Sequence, residues 1–107
     1  MIFKPFYYFD TGCAAYLFGC GSLGQCAVVD PQERDIDAYL SFAANKGMKV
    51  THVFDTHVHA DHRSGGREIA RQTGAKYCLH RSAPLSFPFE PVEDRQRIHL
   101  GLSLIHI

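Results

Sequence analysis

The chain has 107 residues, of which 46% are hydrophobic and 21% charged, with 11 basic and 11 acidic side chains. That length fits one small domain or part of a larger one, and the apolar content excludes a disordered chain. A formal net charge of zero removes the field that would gather nucleic acid or an anionic bilayer, so neither is expected as a partner.

In chain order, residues 2–9 are aromatic and β-prone, and Pro5 suits that strand to a sheet edge. Asp10-Thr11-Gly12 reads as a turn and residues 13–18 as a second strand. Gly19, Gly21 and Gly24 then mark a hairpin connection. Residues 25–29 are apolar on both faces, which predicts a buried third strand, closed by Asp30-Pro31. Ile36, Tyr39, Leu40, Ala43 and Ala44 fall at helical spacing and predict one amphipathic helix. Asp35 and Asp37 sit near its start, where the helix dipole favours negative charge, and Gly47 follows its end. Residues 49–54 form the next strand, with Val50, Val53 and Phe54 as its apolar side chains. A second helix is predicted from about residue 65 to 73, stopped by Gly74, and a short strand over 76–80. Pro84, Pro88 and Pro91 break the following segment into loop or extended chain, and residues 97–100 begin a further strand. A hairpin run followed by alternating helix and strand predicts a mixed α/β (α+β) fold without internal repeats.

The four cysteines (Cys13, Cys20, Cys26, Cys78) contain no C-x-x-C pair and read as small buried hydrophobes in a reducing compartment. The opening residues lack a basic region followed by a long apolar core, and the longest apolar stretch is too short to cross a bilayer. A cytoplasmic location away from membranes is the expectation.

The most informative segment is Thr56-His57-Val58-His59-Ala60-Asp61-His62. Neutral imidazoles and carboxylates hold zinc, iron and manganese. If residues 57–59 are extended, His57 and His59 project to one side, while Asp61 and His62 can face a second position after a turn. The division into two pairs suits a catalytic site with open positions or two adjacent metals, rather than a closed structural zinc. His57, His59, Asp61 and His62 are therefore the candidate metal ligands, with Asp61 also the candidate catalytic carboxylate. Gly65-Gly66 leave room for a close approach. Arg63, Arg67 and Arg71 form a stripe that reads as a solvated basic face, or as an anchor for substrate carboxylates. Asp30 either starts a simple Asp-Pro turn or orients a ligating histidine from behind. For His52, His80 and His99 a structural role is expected.

These residues carry a resemblance. The segment 56–62 resembles the H-x-H-x-D-H motif of the metallo-β-lactamase superfamily, and Val28-Val29-Asp30-Pro31 with the amphipathic helix is similar to that family's N-terminal half. The fold implied is the N-terminal half of a four-layered αββα sandwich. Gly12-Cys13-Ala14-Ala15-Tyr16-Leu17 and His59-Ala60-Asp61-His62-Arg63-Ser64-Gly65-Gly66 look most like the persulfide dioxygenases. That likeness implies one Fe(2+) per site, oxidation of glutathione persulfide to sulfite with dioxygen in hydrogen sulfide metabolism, and a small thiol or persulfide partner. It would make His57 an iron ligand, with a histidine and an aspartate from further along the chain, while His59, Asp61 and His62 shape the surroundings. The alternative is a glyoxalase II-like thioester hydrolase, in which His57 and His59 hold one Zn(2+) and Asp61 and His62 the other. A third is a metal-binding module without turnover. The intact protein could be a homodimer.

The resemblance spans residues 1–101 as a partial domain. His80, His99 and His106 do not stand in the contexts from which that family takes its downstream ligands. Residues 102–107 (Leu-Ser-Leu-Ile-His-Ile) can be encoded by the end sequence of a transposon-type library adapter, so they are expected to be a non-native tail. The expected activity therefore belongs to the intact parent. This fragment alone is expected to bind metal weakly and turn over little.

Overall fold

The computed structural model describes residues 1–57, 64–83, 88–101 and 103–107. Strands β1 (Ile2–Tyr8), β2 (Cys13–Cys20) and β3 (Gln25–Val29) lead through a single 3-10 turn into helix α1 (Ile36–Asn45). Strand β4 (Lys49–Phe54), helix α2 (Gly66–Thr73), strands β5 (Lys76–His80) and β6 (Glu90–Val92), and the pair β7 (Arg97–Leu100) and β8 (Ser103–His106) follow. The first six strands form one sheet in the order β1-β2-β3-β4-β5-β6. The first two pairings are antiparallel and the other three parallel. Sequential order is kept because each parallel step from β3 to β5 carries a helix as its crossover.

Both helices pack on the same face. Ile36, Tyr39 and Ala43 of α1 and Ile69 of α2 share one buried cluster with Leu17, Cys26, Val28, Val50 and Val53. The expected helical stripe holds for Ile36, Tyr39 and Ala43, with Leu40 at its flank, but Ala44 is exposed. Eight residues beyond Ile36 the helix has turned roughly 80° away from it, which places Ala44 past the edge of the buried stripe. Gly47 (φ 68) and Gly74 (φ 77) end the helices in the left-handed conformation expected of them.

The opposite face is covered by the β7–β8 hairpin, whose Leu100, Ile98 and Ile105 pack with Ala27, Phe54, Cys78 and Val92. Beyond the hairpin, Phe3 and Tyr7 of β1 are 60% exposed, and Phe3 stacks on Tyr16 with ring centroids 5.7 Å apart. Burial pushes the thiols of Cys26 and Cys78 up to about 11, so both behave as the apolar side chains expected of them.

Strand β2 runs two residues past its predicted end, so Gly19 is not part of the turn. It faces Cys26 across the ladder, where an added Cβ would stand 2.5 Å from the Cys26 Cβ. Glycine there permits a close strand approach, a different use of the residue from the one its turn-rich surroundings suggest. Pro5 lies in the edge strand β1 as expected, and Pro91 lies in β6 at the other edge. Residues 103–106 pair with β7 in antiparallel register. Sequencing of the source locus decides the adapter reading, and a natural stop codon directly after Ile107 would overturn it.

Candidate active site

The C-terminal ends of β3, β4 and β5 lie side by side, the place where open sheets with parallel strands gather ligands. Strand β3 delivers Asp30, whose φ of 52 turns the chain sharply after Val29. Its backbone N–H donates to the Phe54 carbonyl at 2.7 Å, so the ends of β3 and β4 are locked together. Its carboxylate then takes two hydrogen bonds from Thr56, one from the backbone N–H to Oδ1 and one from the hydroxyl to Oδ2, both at 2.8 Å. Asp30 is thus more than a turn former: it fixes the residue that precedes His57.

A further contact sets the state of His57. Thr56 Oγ1 lies 2.9 Å from His57 Nδ1. A hydroxyl has one proton, and a carboxylate can only accept, so the Thr56 proton goes to Asp30. The imidazole must then donate through Nδ1–H to Thr56 Oγ1, which makes Nε2 the unprotonated nitrogen. His57 is exposed at the rim of a cavity of about 210 Å³ lined by Asp55, Thr56, Leu79, His80 and Ser82 among others. An exposed imidazole with its other nitrogen tied back is the donor chemistry that a transition metal takes, so this residue fits the metal implied by the motif.

Where the chain re-enters the described residues, Ser64 is gripped in turn. It bridges to Gln32, and its hydroxyl donates to Asp55 Oδ2 at 2.7 Å and accepts from the Gly66 N–H at 3.0 Å. Tyr77 of β5 donates its phenol to the same Asp55 oxygen. Burial first, and then this bond, push the Tyr77 phenol well above its ordinary value, so it stays a proton donor. Asp55 is 6% exposed. Its two hydroxyl donors come from the exit of the motif segment and from the neighbouring strand, so the carboxylate ties both to the end of β4. The expected need for space at Gly65-Gly66 is met at Gly66, where an added Cβ would stand 2.4 Å from the Tyr77 ring.

Of the predicted ligands, His57 is in the cavity. His59, Asp61 and His62 lie outside the described residues, as does Arg63. Among the described residues no group of three His, Cys, Asp or Glu side chains converges as a metal cluster. Arg67 and Arg71 are exposed on α2, and Arg71 pairs with Glu68 at 2.6 Å, in line with a solvated basic face. His52 stacks on Phe54 lower in β4, and His99 is exposed on β7. His80, read from sequence as structural, shares the His57 cavity. The signal for it was topological: β5 is the parallel neighbour of β4, so the residue that ends β5 comes up beside the segment that leaves β4.

The sequence matches the metallo-beta-lactamase superfamily over residues 9–101. The chain belongs to that superfamily. Members of this metallo-β-lactamase fold bind metal ions, usually zinc or iron. A hydroxyacylglutathione hydrolase of Rhodospirillum rubrum is 39% identical over 61 residues, which cover 57% of this chain and 23% of that protein. The crystal structure of ETHE1 from Myxococcus xanthus is similar at 28% identity with a TM-score of 0.85, covering 97% of this chain and 46% of that one. A metallo-beta-lactamase structure from Staphylococcus aureus gives 29% identity and a TM-score of 0.88, covering 98% and 32%. The chain thus spans less than half the length of each of these proteins. No described helix is long and apolar enough to cross a membrane.

Proposed function

We propose that this chain is the metal-binding part of a persulfide dioxygenase, which converts glutathione persulfide, dioxygen and water to glutathione, sulfite and protons. The observation that carries the reading is the likeness to the Myxococcus xanthus structure along 97% of the chain, together with the motif at 56–62. In this reading His57 would hold one Fe(2+) through Nε2, with a histidine and an aspartate from further along the parent chain, while His59, Asp61 and His62 would shape its surroundings, Asp61 being the candidate catalytic carboxylate. A bound iron would supply the redox chemistry by which dioxygen reacts with sulfur.

The chain's own residues do the rest. Asp30 and Thr56 hold the His57 ring and fix its proton on Nδ1. Asp55, Ser64 and Tyr77 hold the far end of the motif segment against β5. Both anchors are hydrogen bonds to ends of regular strands, which is what keeps a ligand within the narrow tolerance that a metal site needs.

The second reading is a thioester hydrolase with two Zn(2+) ions, supported by the name of the Rhodospirillum rubrum relative. Both readings share a small thiol-derived substrate. Metal content, oxygen uptake with glutathione persulfide, and cleavage of a hydroxyacyl-glutathione thioester separate them in the parent protein. One iron with oxygen consumption supports the first; two zincs with thioester cleavage would replace it by the second. Inactivity on both, with metal retained, would point to a non-catalytic module.

A further inference from the structure

We propose that His80 is a substrate-contacting residue whose Nε2–H donates a hydrogen bond to an acceptor atom, a carbonyl oxygen or an anionic sulfur, of a thiol-derived substrate bound beside His57. The proposal rests on the reading of this cavity as the active site.

Its first support is position. His80 ends β5 and lines the cavity of about 210 Å³ together with His57, Thr56 and Ser82. The backbone around it is fixed: Ala83 N–H donates to the His80 carbonyl at 2.9 Å in a tight turn, and Arg81 N–H donates to the Val92 carbonyl of β6 at 2.9 Å.

The second support is the proton inventory of the ring. The Ser82 backbone N–H donates to His80 Nδ1 at 3.2 Å. A backbone N–H can only donate, so Nδ1 is the unprotonated nitrogen. The Ser82 hydroxyl, 2.7 Å from the same atom, then donates as well. The neutral ring then carries its proton on Nε2, the nitrogen that the turn does not engage, on an exposed side chain. Two imidazoles therefore face one cavity in opposite tautomers. His57 is tied through a protonated Nδ1 and carries its lone pair on Nε2; His80 is tied through an unprotonated Nδ1 and carries its proton on Nε2. In this tautomer Nε2–H is the group that His80 can present to an acceptor atom of a bound substrate.

The test uses the metal-loaded parent protein and three variants, His80→Ala, His80→Gln and His57→Ala. Long-range ¹H–¹⁵N correlation spectra of the chain, without turnover, should show the His80 proton on Nε2 and the His57 proton on Nδ1. His80→Ala should lower kcat/KM about 5- to 20-fold on the active substrate, as loss of one hydrogen bond does, with metal content unchanged. His80→Gln, whose amide nitrogen can take the place of Nε2, should recover most of that loss. A His80 proton found on Nδ1, an unchanged kcat/KM in His80→Ala, or metal loss in that variant would each overturn the proposal. If His57→Ala keeps both metal and activity, the proposed function itself fails and this inference fails with it. If His57→Ala loses them while His80→Ala changes nothing, only the inference fails.

Discussion

On the helix side of the six-stranded sheet, Leu17, Val28 and Val53 are fully buried beneath Tyr39 and Ile69. On the other side the hairpin covers the β3–β6 half, and Phe3 and Tyr7 of β1 stay in contact with water. The strands supply apolar side chains to both faces alike, so composition does not distinguish them. The cover does: two amphipathic helices close one side, and one short hairpin closes part of the other. The same hydrophobic transfer that stabilises the first face is realised on the second only where a layer lies over it.

Substitutions should separate the two faces by size of effect. Leu17→Ala, on the helix side, is expected to cost about 2–5 kcal/mol in denaturant unfolding, because it leaves a cavity under α1. A loss below about 1 kcal/mol would mean that the helix layer packs loosely. Gly66→Ala should follow, at about 1–3 kcal/mol, since the new methyl would press on the Tyr77 ring at 2.4 Å. The double variant Gly66→Ala/Tyr77→Ala should relieve the clash, and unfolding measurements showing simple additivity would break that account. On the open side, Phe3→Ser should change stability by no more than about 0.5 kcal/mol. It should also reduce self-association in sedimentation experiments, because the exposed aromatic patch is smaller.

The smallest effect belongs to His52, on the hairpin side. Burial first, then Lys76, hold its imidazole below the ordinary value, against the pull of Glu90. The unfolded chain takes up the proton near the ordinary value of 6.5, whereas the folded chain resists it. Its contribution to stability is therefore complete above that value and declines as the pH falls through the lower folded pKa. Stability measured as a function of pH should fall in that window, and His52→Gln should flatten the fall. An unchanged slope in the variant would place the acid sensitivity elsewhere.

Periodicity made α1, β3 and β4 legible, because each buries a face that the sequence repeats at the right spacing. The superfamily was legible for another reason: three histidines and an aspartate at fixed spacing in one short segment are a motif rather than a periodic pattern. The missed features all depend on what lies across the ladder. Gly19 carries a signal that turns and close strand approaches share, and only the position of Cys26 separates them. Asp55 and Tyr77 are 22 residues apart and meet through the parallel register of β4 and β5. The tautomer of His57 follows from Asp30, 26 residues upstream of Thr56. Local spacing holds no record of such partners.

The two outer strands each carry a residue with no amide proton, Pro5 in β1 and Pro91 in β6. A foreign strand arriving at either margin would find its hydrogen-bond ladder interrupted. Lateral growth of the sheet into a fibril is thereby opposed at both ends, which matters most for a chain that exposes Phe3 and Tyr7 on one face.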